Sequence, residues 1–184
     1  LDLKVENPAV GLASAFNEAS RERTLSDQEL RKLWTALDNP ARAPVALSAP
    51  MAVCLQLCAI TLARCGEVCG MHDREIHLDQ RTWIIPAARS KNRREHSVPL
   101  SPTAVERIRL ALSLRGERDR PDFVFPSPVN RNEPLARHSV SRAMQRLCDT
   151  LEIENATTHD LRRSGASNLT SERINIPRFI VSHV

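Results

Sequence analysis

The sequence contains no tyrosine, and aromatic residues make up only 3% of it. Chemistry that needs a phenolic oxygen as nucleophile is therefore excluded from these 184 residues. Long apolar runs are also missing. A bilayer span needs about 20 such residues, and the longest greasy stretch, Met51 to Ala63, has only the length of a buried helix. Glycine is scarce, at five residues against twelve prolines, which argues against flexible linkers and for many sharply bounded elements. No signal-like segment opens the chain, and five cysteines is an odd number. The expectation is a reducing, cytoplasmic setting with no disulfide framework.

What is present is ordinary for a globular protein: 41% hydrophobic and 26% charged residues. The length suits one domain, or one domain plus an arm. The net charge of +4 is modest, but the arginines cluster. Residues 89–94 read Arg-Ser-Lys-Asn-Arg-Arg, and Arg115, Arg118 and Arg120 form a second group. Such runs are usually solvated faces, so alone they leave nucleic-acid binding and plain solvation both open. Cys54, Cys58, Cys65 and Cys69 follow a C-x3-C-x6-C-x3-C pattern, with His72 and His77 nearby. Zinc sites favour tighter C-x2-C knuckles in turns. The first pair here lies in an apolar helical run, where cysteine behaves as a small buried hydrophobe. Core packing is the expected role, with no metal and no cofactor.

Residues 1–23 show little periodicity. Ser26 and Glu29 then form a capping-box pattern ahead of Leu30, Leu33, Trp34 and Leu37 at helical spacing. A second helix is predicted from about Ala49 to Ala63, apolar on most faces. After Gly70 the pattern alternates. Arg81 to Pro86 reads as a strand and Glu95 to Leu100 as its return, with the basic run at the hairpin tip. Ser101-Pro102 starts an amphipathic helix running to about Leu114. Val140, Met144, Leu147 and Leu151 mark another, Thr158 is read as the cap of one beginning at His159, and Pro177 starts a last. The fold class is mainly α with a small antiparallel β-sheet (α+β).

Three places carry candidate chemistry. His159 and Arg162 stand three apart at a helix start, so they share a face near free N–H groups that favour an anion. Arg64 lies where the apolar helix ends, beside Gly66, which permits a turn, and it has a rigid fork to offer a phosphate. Lys91 stands at the hairpin tip. Each also has a plain reading: Arg162 or Arg163 in a structural ion pair, His159 as a cap, Arg64 held by Glu67, and Lys91 merely solvated.

In this order, Arg-x-x-Glu after a helix, Lys in a hairpin and His-x-x-Arg at a later helix, the chain resembles the tyrosine recombinases. The likeness is collinear from about Thr24 to Val184 and is strongest in “TLARCGEVCGM”, “RTWIIPAARSKNRREHSVPLS” and “THDLRRSGAS”. Even “NPAVGL” at residues 7–12 resembles the linker that joins a core-binding domain to the catalytic domain of a prophage-type integrase. The resemblance implies an integrase catalytic-domain fold over 24–184, lacking its C-terminal segment, with 1–23 an arm from an N-terminal core-binding domain. It implies site-specific recombination of a phage or mobile element through a 3′-phosphotyrosine intermediate.

By the same resemblance, Arg64 and Arg162 would clamp the scissile phosphate, His159 would bond to it, and Lys91 would protonate the departing 5′ oxygen. Glu67 would orient its neighbours, while Arg89, Arg93, Arg94 and Arg163 would contact DNA. His183 is one candidate for a further family histidine, although “IPRFIVSHV” resembles the lead-in to a Leu-Asn-His block lying past Val184. Leu62 departs from the family, which often has glycine there. With no tyrosine, this stretch alone is expected to be inactive. The implied partner is double-stranded DNA at att-type sites, within a tetrameric synapse in a bacterial, nucleoid-associated setting and without a membrane. A type IB topoisomerase-like enzyme and a non-catalytic helical DNA-binding module are the alternatives.

Overall fold

A computed structural model describes residues 23–115 and 122–170. Among these residues six α-helices and one small sheet follow in the order α1 (Asp27–Asp38), α2 (Ala49–Thr61), α3 (Cys65–Cys69), β1 (Ile76–His77), β2 (Thr82–Ile85), β3 (His96–Pro99), α4 (Pro102–Arg115), α5 (Arg137–Thr150) and α6 (Thr158–Thr170). The mainly helical class with one small antiparallel sheet is thus observed. The predicted helix from Pro177, the arm up to residue 22, His183, Arg118 and Arg120 lie outside the described residues.

The apolar run of α2 becomes the axis of the core because no face of it is polar enough to meet water. Residues Ala52 to Ala59 are all buried, and α1, α4, α5 and α6 each pack against this helix. Gln56 is the exception in composition, and its side-chain amide donates to Asp38 at 2.7 Å, so the buried polar group is not orphaned. The outer helices have the expected one-sided character. α1 buries Leu33, Ala36 and Leu37, and α5 buries Val140, Ala143, Met144, Leu147 and Cys148.

Helix starts follow local chemistry. Ser26 Oγ accepts from Glu29 N at 3.3 Å, and the Glu29 carboxylate accepts from Ser26 N at 2.8 Å, which completes the capping box. Ser101 Oγ accepts from Ala104 N at 3.2 Å, capping α4. At α6 the cap is Thr157, one residue earlier than predicted. Its hydroxyl accepts from the backbone of His159 and Asp160 at 3.3 Å, and the Asp160 carboxylate accepts from Thr157 N at 3.0 Å. Asp160 three residues on selects Thr157 over Thr158 as the reciprocal partner.

β2 is the central strand, antiparallel to both neighbours, with Trp83 opposite Ile76 on one side and Val98 on the other. Trp83, Ile85 and Val98 turn inward and are buried. Glu75 is buried beneath them, accepting from Trp83 Nε1 at 3.1 Å and from Arg89 Nε at 2.8 Å. This network ties the base of the basic hairpin to the core.

The four patterned cysteines pack together where α2 meets α3. Cys54 Sγ lies 3.7 Å from Cys69 Sγ, and Cys65 Sγ lies 3.9 Å from Cys69 Sγ. Among the described residues no group of three or more His, Cys, Asp or Glu side chains is disposed to hold a metal ion, and no helix is long and apolar enough to cross a membrane.

Candidate functional site

The site begins with a break in the buried helix. Leu62 follows α2 with φ 56° and ψ 18°, a left-handed conformation that costs a branched residue energy. The turn was expected at Gly66. Instead Gly66 lies inside α3, and Leu62 makes the reversal. Thr61 stabilises the corner: its hydroxyl donates to Leu57 O at 2.6 Å and accepts from Ala63 N at 3.3 Å.

That corner presents Arg64 as the N-cap of α3. Buried Glu67 fixes it twice, accepting from Arg64 N at 2.8 Å and from Nη1 at 2.9 Å. The Glu67 side chain is 9% exposed and the Arg64 side chain 40%. The acid therefore lies beneath, and part of the arginine's fork remains open to solvent. The same corner holds a second arginine. The Leu62 carbonyl, which the helix break leaves outside the regular ladder, accepts from Arg162 Nε of α6. One irregular turn thus positions two guanidinium groups that are 98 residues apart in sequence.

α6 reaches this turn because Gly165 lets it approach closely. A Cβ at that position would lie 2.5 Å from Ala59 O and 2.7 Å from Leu62 Cδ2. Such packing brings the first turn of α6, with Thr158, His159 and Arg162, beside Arg64.

Together these residues line an open cleft of about 180 Å³, bounded by Arg64, Cys65, Gly66, Arg137, Ser141, Thr158, His159 and Arg162. Three arginines and a histidine line it, and among the described residues none that lines it is acidic. A cleft with that charge and those fork-shaped donors suits a tetrahedral anion. The thiol at its lip is perturbed. Hydrogen bonds from the thiols of Cys54, Cys58 and Cys69 pull the Cys65 pKa down, and the nearby Arg137 charge adds to them. Those three partners are all pushed up.

Of the residues singled out in the sequence, Arg64, His159 and Arg162 come together here. Lys91, Arg93 and Arg94 lie exposed on the hairpin and do not line the cleft. Arg89 departs from the expectation that it contacts DNA: its guanidinium turns inward to Glu75 and donates to the Glu67 carbonyl at 3.3 Å. A buried carboxylate claims this arginine before any external anion does. Arg163 does not line the cleft either, and its Nη1 is buried without a hydrogen-bond partner among the described residues. In the second basic group, Arg115 is tied to Asp73 at 2.7 and 2.8 Å.

Two lining residues were missed. Arg137 opens α5, and Ser141 follows one turn later on the same face. Attention to the apolar stripe of that helix says nothing about which polar side faces a cleft. The four-residue spacing was the available signal.

Comparison with known proteins places this arrangement in context. The family model described as the phage integrase family matches residues 23–180. Prophage integrase IntA of Escherichia coli strain K12 is 30% identical over 139 residues, which is 76% of this chain and 32% of IntA. The crystal structure of XerA recombinase superposes with a TM-score of 0.65 at 21% identity, covering 85% of this chain and 53% of that one. A lambda integrase tetramer bound to a Holliday junction gives 0.62 at 19% identity, covering 84% and 44%. At these identities the structural likenesses establish the fold. The chain spans about a third of IntA and about half of the solved recombinase chains.

Proposed function

Because this chain belongs to the phage integrase family, we propose that its arginine-lined cleft holds the scissile phosphodiester in site-specific DNA recombination. The observation that carries the proposal is the convergence of Arg64, His159 and Arg162 on one cleft that, among the described residues, has no acidic lining. Phosphoryl transfer gathers charge on the non-bridging oxygens, and pre-placed cations stabilise it without reorganising during the reaction. Arg64 and Arg162 take those oxygens. Arg137 supplies a third cation, and His159 bonds to the phosphate and assists proton transfer.

The nucleophile is a tyrosine oxygen supplied from outside these 184 residues. It attacks phosphorus, the bond to the 5′ oxygen breaks, and the 3′-phosphotyrosine conserves the bond energy for rejoining. The departing 5′ oxygen needs a proton, which Lys91 donates as the hairpin tip reaches the bound DNA. Arg93 and Arg94, exposed beside it, contact the backbone of the duplex. No cofactor enters these steps. In the whole protein the substrate is double-stranded DNA carrying att-type sites, held in a tetrameric synapse in the bacterial cytoplasm. Binding by the 184 residues alone is weak and nearly blind to sequence, since phosphate contacts carry little sequence information.

The test uses the chain joined to a tyrosine-bearing C-terminal segment and a nicked att-site duplex. Arg162→Ala is expected to abolish covalent capture while leaving most of the binding. If Arg64→Ala and Arg162→Ala only weaken affinity, each lowering the salt slope by about 0.9 as one lost phosphate contact does, then the chain is a binding module and not a strand-transfer enzyme.

A further inference from the structure

The cysteine cluster is not needed for phosphate binding, yet it touches the cleft. Cys65 is the only one of the four that lines it, and it is only partly buried; Cys54, Cys58 and Cys69 are fully enclosed. We infer that Cys65 and Cys69 are an oxidant-reactive thiol pair, in which a hydroperoxide oxidises Cys65 and Cys69 then closes a reversible disulfide that displaces Arg64. This rests on the reading of the cleft as a phosphate site.

Three features support the pairing. Arg137 lines the same cleft as Cys65 and lies against this corner, with its Cδ 3.5 Å from where a Gly66 side chain would begin, so the partly buried thiol shares the cleft with a cationic side chain. Thiolate character and access are what make one cysteine react ahead of others. A resolving thiol is already in place, with Cys69 Sγ 3.9 Å away. Finally, four residues of helix rise about 6 Å, inside the roughly 4.4–6.8 Å Cα separation that disulfides accept. Helical Cβ atoms at this spacing stand about 5–6 Å apart against roughly 3.5–4.5 Å in a disulfide, so closing the bond must distort α3.

The chemistry balances in two steps. The Cys65 sulfur takes the distal oxygen of the hydroperoxide, whose O–O bond breaks. This gives a sulfenic acid and releases water or an alcohol. The Cys69 sulfur then attacks the Cys65 sulfur, an S–S bond forms, and the sulfenic hydroxyl leaves with the Cys69 proton as water. The sulfurs must close from 3.9 Å to about 2.05 Å. That contraction falls on the helix whose N-cap is Arg64 and whose third residue is the Glu67 that holds it. Reduction by a dithiol restores the open geometry.

The 184-residue protein is treated with hydrogen peroxide, free thiols are blocked, and peptides are mapped by mass spectrometry with and without dithiothreitol. DNA affinity is measured in parallel on a mixed-sequence duplex at low salt. The expected result is a Cys65–Cys69 link that dithiothreitol reverses, together with at least a fivefold loss of affinity that recovers with it. Cys148 stays unmodified, since burial pushes its thiol up to about 11. In Cys69→Ala the ratio of oxidised to reduced affinity should return toward one. A link that excludes Cys65, oxidation that leaves affinity unchanged, or stoichiometric zinc that blocks the thiols would each overturn the inference. Reduced protein that does not bind DNA at all would instead overturn the phosphate reading.

Discussion

Replacing Gly165 by alanine tests whether the cleft depends on how closely α6 lies on α2. The new Cβ would meet Ala59 O at 2.5 Å and Leu62 Cδ2 at 2.7 Å, whereas real Cβ contacts essentially never fall under 3.0 Å. The leucine methyl can rotate away. The carbonyl oxygen belongs to a buried helix and cannot, so α6 must retreat by about 0.9 Å to regain ordinary contact. Overpacking of this kind costs about 1–3 kcal/mol, and the better helix propensity of alanine returns about 1 kcal/mol. A net loss of about 1 kcal/mol, and no more than about 2, corresponds to a Tm lower by roughly 2–4 °C in a domain of this size. The functional loss should be far larger, because α6 carries His159 and Arg162, and a 1 Å misplacement at a reacting centre costs about 10²-fold. Thermal unfolding by circular dichroism and single-turnover capture on nicked DNA, with the tyrosine-bearing chain, read the two effects separately. A variant that melts at or above the wild-type temperature and cleaves normally would refute the packing argument.

Two further perturbations address the supports of the site and of the fold. Glu67→Ala strips the acceptor from the Arg64 backbone N–H and should cost about 1–3 kcal/mol, whereas Glu67→Gln keeps an oxygen there and should cost clearly less; equal losses in denaturant unfolding would contradict the assigned hydrogen bonds. Ser26→Ala should cost about 1 kcal/mol through the lost cap of α1. At Glu29 burial raises the carboxyl pKa, but hydrogen bonds from Ser26 and the Arg23 charge outweigh it, leaving it below its ordinary 4.5. The folded value is the lower one, so this contribution is present above pH 4.5 and disappears as pH falls through the folded pKa. The stability gap between wild type and Ser26→Ala should therefore narrow on acidification; a gap that widens would argue against the reciprocal cap.

Features set by local rules could be read from the sequence. Ser26 and Glu29 announced α1, the uninterrupted apolar run announced the central helix, and alternation on either side of 89–94 announced the hairpin. Arg64, His159 and Arg162 were legible as candidates because each sits at an element boundary where side chains project together. Features decided by tertiary contact were not. α3 is five residues long, too short for periodicity to show. The reversal at Leu62 breaks the usual preference for glycine, and it persists because the freed carbonyl finds Arg162. Arg89 looks like its neighbours in the basic run, and only the fold reveals that Glu75, 14 residues earlier, has taken it. Arg137 belongs to the polar side of a helix identified by its apolar one, so its presence in the cleft had to come from the packing of α5 against α3.

The central claim is that Arg64 and Arg162 neutralise charge on one reacting phosphate. The most direct measurement replaces the scissile phosphate of a nicked duplex with an uncharged methylphosphonate and follows covalent capture by the tyrosine-bearing chain. Arg64→Ala and Arg162→Ala are expected to be inactive on ordinary DNA and to regain cleavage on the neutral linkage, because the charge each guanidinium would have met is gone. Failure of the neutral linkage to restore either variant, with binding intact, would contradict the account.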